Sequence, residues 1–252
     1  MISPAPSYGP MENTMAKQVS RYESNGTTPA QANYDEGSVH DGQTSTPRRA
    51  WWKNTSTESE TLVGCKFQID AVGGNDGDDY LQIAPDIPVE APGQPNSALT
   101  TGIALGIGYY EHAITFVTAN GETPAGTRRS ITTTSGNQKV NLSSIPTGPS
   151  GVTKRRVYRT AVGGGALKFV AEIPDNTTTT YLDQTPDASL GAAPPALNTS
   201  GAAGTWTAAD ITIGNLSVGS YVACWMRYNV PLGTAQVGNP RYAKATFVET
   251  GA

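Results

Sequence analysis

Between Arg48 and Pro85 the chain reads RRAWWKNTSTESETLVGCKFQIDAVGGNDGDDYLQIAP, where short runs alternating apolar with polar positions are separated by turn residues. Side chains on a strand alternate between its two faces, so a period of two is a strand signature. The stretch therefore predicts three strands, around Ala50 to Lys53, Leu62 to Asp70 and Tyr80 to Ala84, joined by the turns NTSTESE and GGNDGDD. The segment PDIPVEAPGQPNS that follows is predicted as a link, because proline cannot donate to a central ladder.

From Gly102 to about Pro195 come YYEHAITFVT, RRSITTT, QKVNLSSI, KRRVYRTA, ALKFVAEI and TTTYLDQ, with the turns ANGETPAG, SGN, PTGPSG, VGGG and PDN between them. This spacing suits an antiparallel sandwich. In KRRVYRT, Val157 and Tyr158 fall on opposite faces, and the arginines are expected to lay their stems over the sandwich edge with their heads in water. The run Thr177 to Thr180 is expected to extend a strand, since threonine is β-branched without adding much apolar surface. The last zone, TWTAADITIGNLSVGSYVACWMRYNV and then NPRYAKATF, returns to the texture of the first. Neither zone alone has enough strands to close a core.

The expected fold is thus all-β: two antiparallel β-sandwich domains, one inserted in the other, with an extended N-terminal arm. Residues 1–46 are the arm, 47–101 and 198–252 the discontinuous base, and 102–197 the insertion. The arm is rich in Ser, Thr, Pro, Gly, Asn and Gln without sustained periodicity, so it buries too little apolar surface to fold alone. Matched alternation places Phe67 and Ile69 with Val222, Cys224 and Met226 in one base core, leaving Lys66, Gln68, Arg227 and Asn229 on the opposite faces.

Charge narrows the function classes. Seventeen basic against twenty-one acidic side chains leave a net charge of -4, which offers no general attraction to a nucleic-acid backbone. No run reaches the roughly 20 apolar residues of a membrane span. The opening MISPAPSYGPMENT lacks the apolar core of an export signal, so a soluble protein assembled without export is expected. The two cysteines, Cys65 and Cys224, both fall on core-facing positions of strands, either bridged across two sheets or packed as small hydrophobic thiols.

Candidate chemistry is sparse. A serine triad could draw only on His40, in the arm, or His112, which alternates with Tyr110, Ile114 and Phe116 as a satisfied or edge histidine would. No catalytic residue and no cofactor are expected. Asn75, Asp76, Asp78 and Asp79 around Gly77 have the oxygen ligands of a Ca²⁺ loop, and equally the composition of a hairpin turn. Trp51, Trp52, Trp206 and Trp225 suit either a sugar-stacking platform or packing in a core or subunit interface. Tyr8, Tyr22, Tyr34, Trp51 and Trp52 are the candidate partner-binding residues.

GYYEHAITFVTANGET, KVNLSSIPTGPSGVTKRRVYRT and FVAEIPDNTTTTYLDQTPDASLG together resemble the fibronectin type III-like, or Ig-like, domains of structural proteins in tailed bacteriophages, with the Tyr-rich strand coming early. The closing zone, with its VP-x-G turn and final NPRYAKATF, is similar to the second half of another such sandwich. The resemblance implies a non-enzymatic virion component, decorating the capsid or attached to the tail or neck. It would be assembled in the host cytoplasm as a homo-oligomer, held to other virion proteins by its arm, with a host-surface glycan as a further partner. The alternative is a bacterial cell-surface or secreted module that binds glycan.

Overall fold

The computed structural model of the protein describes residues 19–22, 43–56, 61–71, 80–230 and 243–248. The described residues form an all-β chain of antiparallel sheets, with one short 3₁₀ turn at Asp187–Ser189. The strands are, in the first part of the chain, β1 (Val19–Tyr22), β2 (Arg48–Asn54), β3 (Leu62–Ala71) and β4 (Leu81–Ile87). The middle supplies β5 (Asn96–Thr100), β6 (Gly102–Ile103), β7 (Gly108–Thr118), β8 (Gly121–Glu122), β9 (Arg129–Thr133), β10 (Asn137–Ser143), β11 (Val152–Ala161), β12 (Gly164–Ile173) and β13 (Tyr181–Asp183). The last are β14 (Ala202–Ala203), β15 (Ile211–Leu216), β16 (Tyr221–Tyr228) and β17 (Ala243–Val248).

Two compact units divide the chain: residues 1–85 with 205–252, and residues 86–204. In the first unit, strands from the two ends of the chain interleave. The order β1-β2-β16-β4 makes one sheet and β15-β3-β17 the other. Ala50 and Trp52, Leu81 and Ile83, and Cys224 and Met226 meet Phe67 in one buried cluster, with Ile69 and Val222 packed against it. The expected common face of β3 and β16 is therefore present. Gly64, at φ 64°, lies opposite a register shift between β3 and β15, and this bulge turns both Leu62 and Cys65 inward toward Leu216. No disulfide joins Cys65 and Cys224; each thiol is buried in its own cluster.

The arm reading needs amendment at two places. Val19–Tyr22 pairs antiparallel with β2, Tyr22 opposite Trp51. Residues 43–45 also join this unit, the Ser45 amide donating to the Tyr228 carbonyl and Thr44 bridging to Asn229.

In the second unit one sheet has the order β12-β11-β7-β8, with β9 also on β7, and the other β13-β10-β5, with β6 parallel to β10. Between them Tyr110 and Ile114 of β7 and Val157 of β11 meet Val140 and Leu142 of β10. The sequence reading assigned Asn96–Thr100 to the base, whereas it forms β5, an edge strand paired with β10. NSALT follows a proline and is largely polar, so it carries no alternation strong enough to show its sheet. The ends of this unit are stitched together: Asp86–Ile87 pairs with Ala202–Ala203, Ser200 Oγ accepts from the Val89 amide, and Asn198 Nδ2 donates to the Val89 carbonyl.

The arginine and threonine expectations are overturned here. Arg155 and Arg159 are fully buried on the core-facing side of β11, flanking Val157. Arg155 donates to the carbonyls of Pro146, Asp175 and Thr178, and so closes the loops before β11 and after β12. Thr177 to Thr180 form no strand. They make a loop in which Asp175 accepts from the amides of Thr177 and Thr178, each at 2.7 Å, and from both hydroxyls. A buried guanidinium is tolerable only when its donors are satisfied, and loop carbonyls do that at each end of the sandwich.

Candidate functional site

At the other end of β11, Arg159 Nε lies 2.8 Å from Asp183 Oδ2, and Arg159 Nη1 donates to Asp187 Oδ1 at 2.6 Å. Its guanidinium stands 4.9 Å from the Tyr110 ring centroid. His112 Nε2 donates to Asp183 Oδ2 at 2.9 Å, with both side chains fully buried. His112 is thus a satisfied core histidine, one of the two readings its alternation allowed. Asp187 is held below the usual carboxylate range: burial works against this and is outweighed by the Val162 amide and by Arg159. The cluster fastens the segment after β13 onto the sandwich.

The opposite face of the same sheet is built differently. Period two puts Lys154, Arg156 and Tyr158 outward on β11, where β7 adds Thr115, β8 adds Glu122 and β12 adds Phe169 and Glu172. Glu122 Oε1 accepts from the hydroxyls of Thr115 (2.6 Å) and Tyr158 (2.8 Å), while Oε2 accepts from Arg156 Nη1 at 2.6 Å. Arg156 Nε in turn donates to Glu172, which also accepts from Lys154. These two hydrogen bonds keep the Glu172 carboxyl below its ordinary range. Burial, followed by the hydrogen bond to Glu122, pushes the Tyr158 phenol well up, so it remains a donor.

A register shift between Val157 and Tyr158 sets Phe169 directly across from Tyr158, with the rings edge to face and centroids 5.9 Å apart. The segment after β13 then returns along β12: Phe169 donates from its amide to the Ala192 carbonyl and accepts from the Gly191 amide. Between this segment and the sheet lies an open cavity of about 440 Å³. Tyr158 and Phe169 form its floor, Glu122 and Arg156 one wall, and Ala192, Ala193 and Pro195 the other.

None of these residues was singled out as a site from sequence. The available signal was the split of KRRVYRT into two faces, Lys154, Arg156 and Tyr158 against Arg155, Val157 and Arg159, but the partners Glu122 and Phe169 come from other strands.

The residues that sequence did single out are dispersed. Trp52 is buried against Phe67, with ring centroids 4.7 Å apart, so it is core and not a platform. Trp51 faces the other side of β2 and is also buried, with Arg49 between its ring (5.0 Å) and that of Trp225 (5.1 Å). Trp206 packs under Arg227 at 4.2 Å. Tyr22 is placed by its backbone in β1, opposite Trp51. Tyr8, Tyr34, His40, Asn75, Asp76, Asp78 and Asp79 lie outside the described residues. Among the described residues no three His, Cys, Asp or Glu side chains group as a metal site.

Comparison with family models, with curated proteins and with solved structures finds no match to this chain.

Proposed function

We propose that the protein is a non-enzymatic structural component of a tailed-phage virion, anchored by residues 1–46 and displaying residues 86–204 as an Ig-like module. The observation that carries this reading is the closure of that unit at its chain entry and exit, where Asp86–Ile87 pairs with Ala202–Ala203. Adjacent ends let a domain be carried within another chain segment without disturbing either core. Also in support, the buried charges Arg155, Arg159, His112 and Asp183 all bind groups within the unit itself, which serves rigidity. The likeness of its strand motifs to phage fibronectin type III-like domains supplies the virion setting, with other virion proteins and further copies of this chain as partners.

The test is to locate the tagged protein in purified particles and to repeat the measurement after deleting residues 1–46. Wild-type protein should appear at a fixed, symmetric position, and the deletion should fold yet be missing from particles. Normal incorporation of the truncated protein counts against anchoring by the arm, and absence of the intact protein from particles overturns the virion assignment.

A further inference from the structure

We infer that the cavity between β11–β12 and the segment 191–195 binds a neutral sugar ring, presented as the end of a glycan. Its volume, about 440 Å³, lies within the roughly 300–1,000 Å³ of small-molecule sites. Its two walls differ in chemistry. Ala192, Ala193 and Pro195 face a ligand with apolar surface, and the Tyr158 and Phe169 rings beneath can receive the C–H face of a pyranose.

The polar wall offers a donor and an acceptor side by side. Arg156 uses Nε and one Nη1 hydrogen on its two carboxylates, which leaves further N–H groups for a ligand oxygen. Glu122 Oε2 accepts from Arg156 alone, so a lone pair remains for a ligand hydroxyl. Neighbouring ring hydroxyls supply that complement, one accepting and the other donating. The pair is also held in place before any ligand arrives: Glu122 has three donors, and Arg156 is pinned between Glu122 and Glu172, so little side-chain freedom is lost on binding.

Charge balance decides between sugar classes. Lys154 and Arg156 are matched by Glu122 and Glu172 at 2.6 to 3.1 Å, so the site has no surplus charge with which to attract an acidic or a basic sugar. A neutral ring loses no ionic hydration on entering, whereas a charged one would have to displace a formed pair.

This inference deepens the displayed-module reading by naming what the module binds, but its test needs no virion. The folded full-length protein is titrated with the methyl glycosides of glucose, galactose and N-acetylglucosamine, with glucuronate and glucosamine as charged counterparts, while the Tyr158, Phe169 and Arg156 resonances are followed by NMR. At least one neutral glycoside should cause saturable shifts at these residues. Phe169→Ala, Arg156→Met and the cavity-filling Ala193→Trp should each weaken binding about tenfold or more. Circular dichroism identifies which variants are folded, and any one folded variant suffices. Absence of saturable shifts with every neutral glycoside, unchanged binding in a folded variant, or preference for a charged sugar overturns the inference. Failure to find the protein in particles leaves it standing.

Discussion

Phe67 and Lys66 are neighbours on β3 with opposite fates. Phe67 is buried among Trp52, Ile83, Cys224 and Met226, while Lys66 reaches Asp210 in a partly exposed ion pair at 2.7 Å. Removing a large buried ring leaves a cavity that its neighbours cannot fully fill, so Phe67→Ala is expected to cost about 3–5 kcal/mol. Lys66→Ala loses only a solvent-screened pair, within about 1 kcal/mol. Denaturant unfolding of both full-length variants, followed by tryptophan fluorescence, separates the cases. Equal small effects would remove Phe67 from the shared core. The same contrast of neighbours governs β11, where Arg155 is buried on loop carbonyls and Arg156 faces the open cavity.

At the scale of the element, the loop from Pro174 to Thr180 is organised by one carboxylate. The Thr178 amide and hydroxyl, with the Thr177 amide, hold the Asp175 carboxyl far below its usual range, although it sits at the surface. Because its folded value is depressed, the charged form favours the folded state. That contribution is fully present above the unfolded value of about 3.9 and is lost as pH falls below it. Asp175→Asn should therefore be less stable than wild type from neutral pH down to about pH 5, with the gap narrowing below about pH 4. Unfolding midpoints of both proteins across that range read the effect directly. A gap that stays constant into acid would mean that the carboxylate charge plays no part in holding this loop.

Over the whole molecule, the closure of residues 86–204 at its ends has a measurable consequence. Besides the Asp86–Ile87 and Ala202–Ala203 pairing, Gly121 approaches Thr199 so closely that a Cβ there would strike it, and the Thr199 amide donates to the Glu122 carbonyl. A fragment of residues 86–204 is expected to unfold cooperatively by itself. The shorter 102–197 lacks β5 and the stitched ends, leaving one edge of β10 unpaired, and should melt at a lower temperature. Equal melting temperatures would show that the entry and exit segments add nothing to this unit. The comparison also bears on the sugar site, whose wall from Ala192 to Pro195 lies just before those exit contacts.

What the sequence by itself determined is the strand class, most strand positions and the common face of Phe67, Ile69, Val222, Cys224 and Met226. Alternation of period two follows from backbone geometry, and where one face is uniformly apolar it also names the core side. On β11 both faces carry long polar side chains around one large apolar residue, so alternation defines two faces without saying which is inside. Only the tertiary structure decided that Arg155 and Arg159 point inward, because their acceptors are loop carbonyls and carboxylates some 9 to 28 residues away in the chain. The same holds for the threonine loop, for β5 and for the cavity of Glu122, Arg156, Tyr158 and Phe169. Each depends on pairing between distant strands, and the energy that selects such a pairing belongs to contacts that no single stretch of sequence contains.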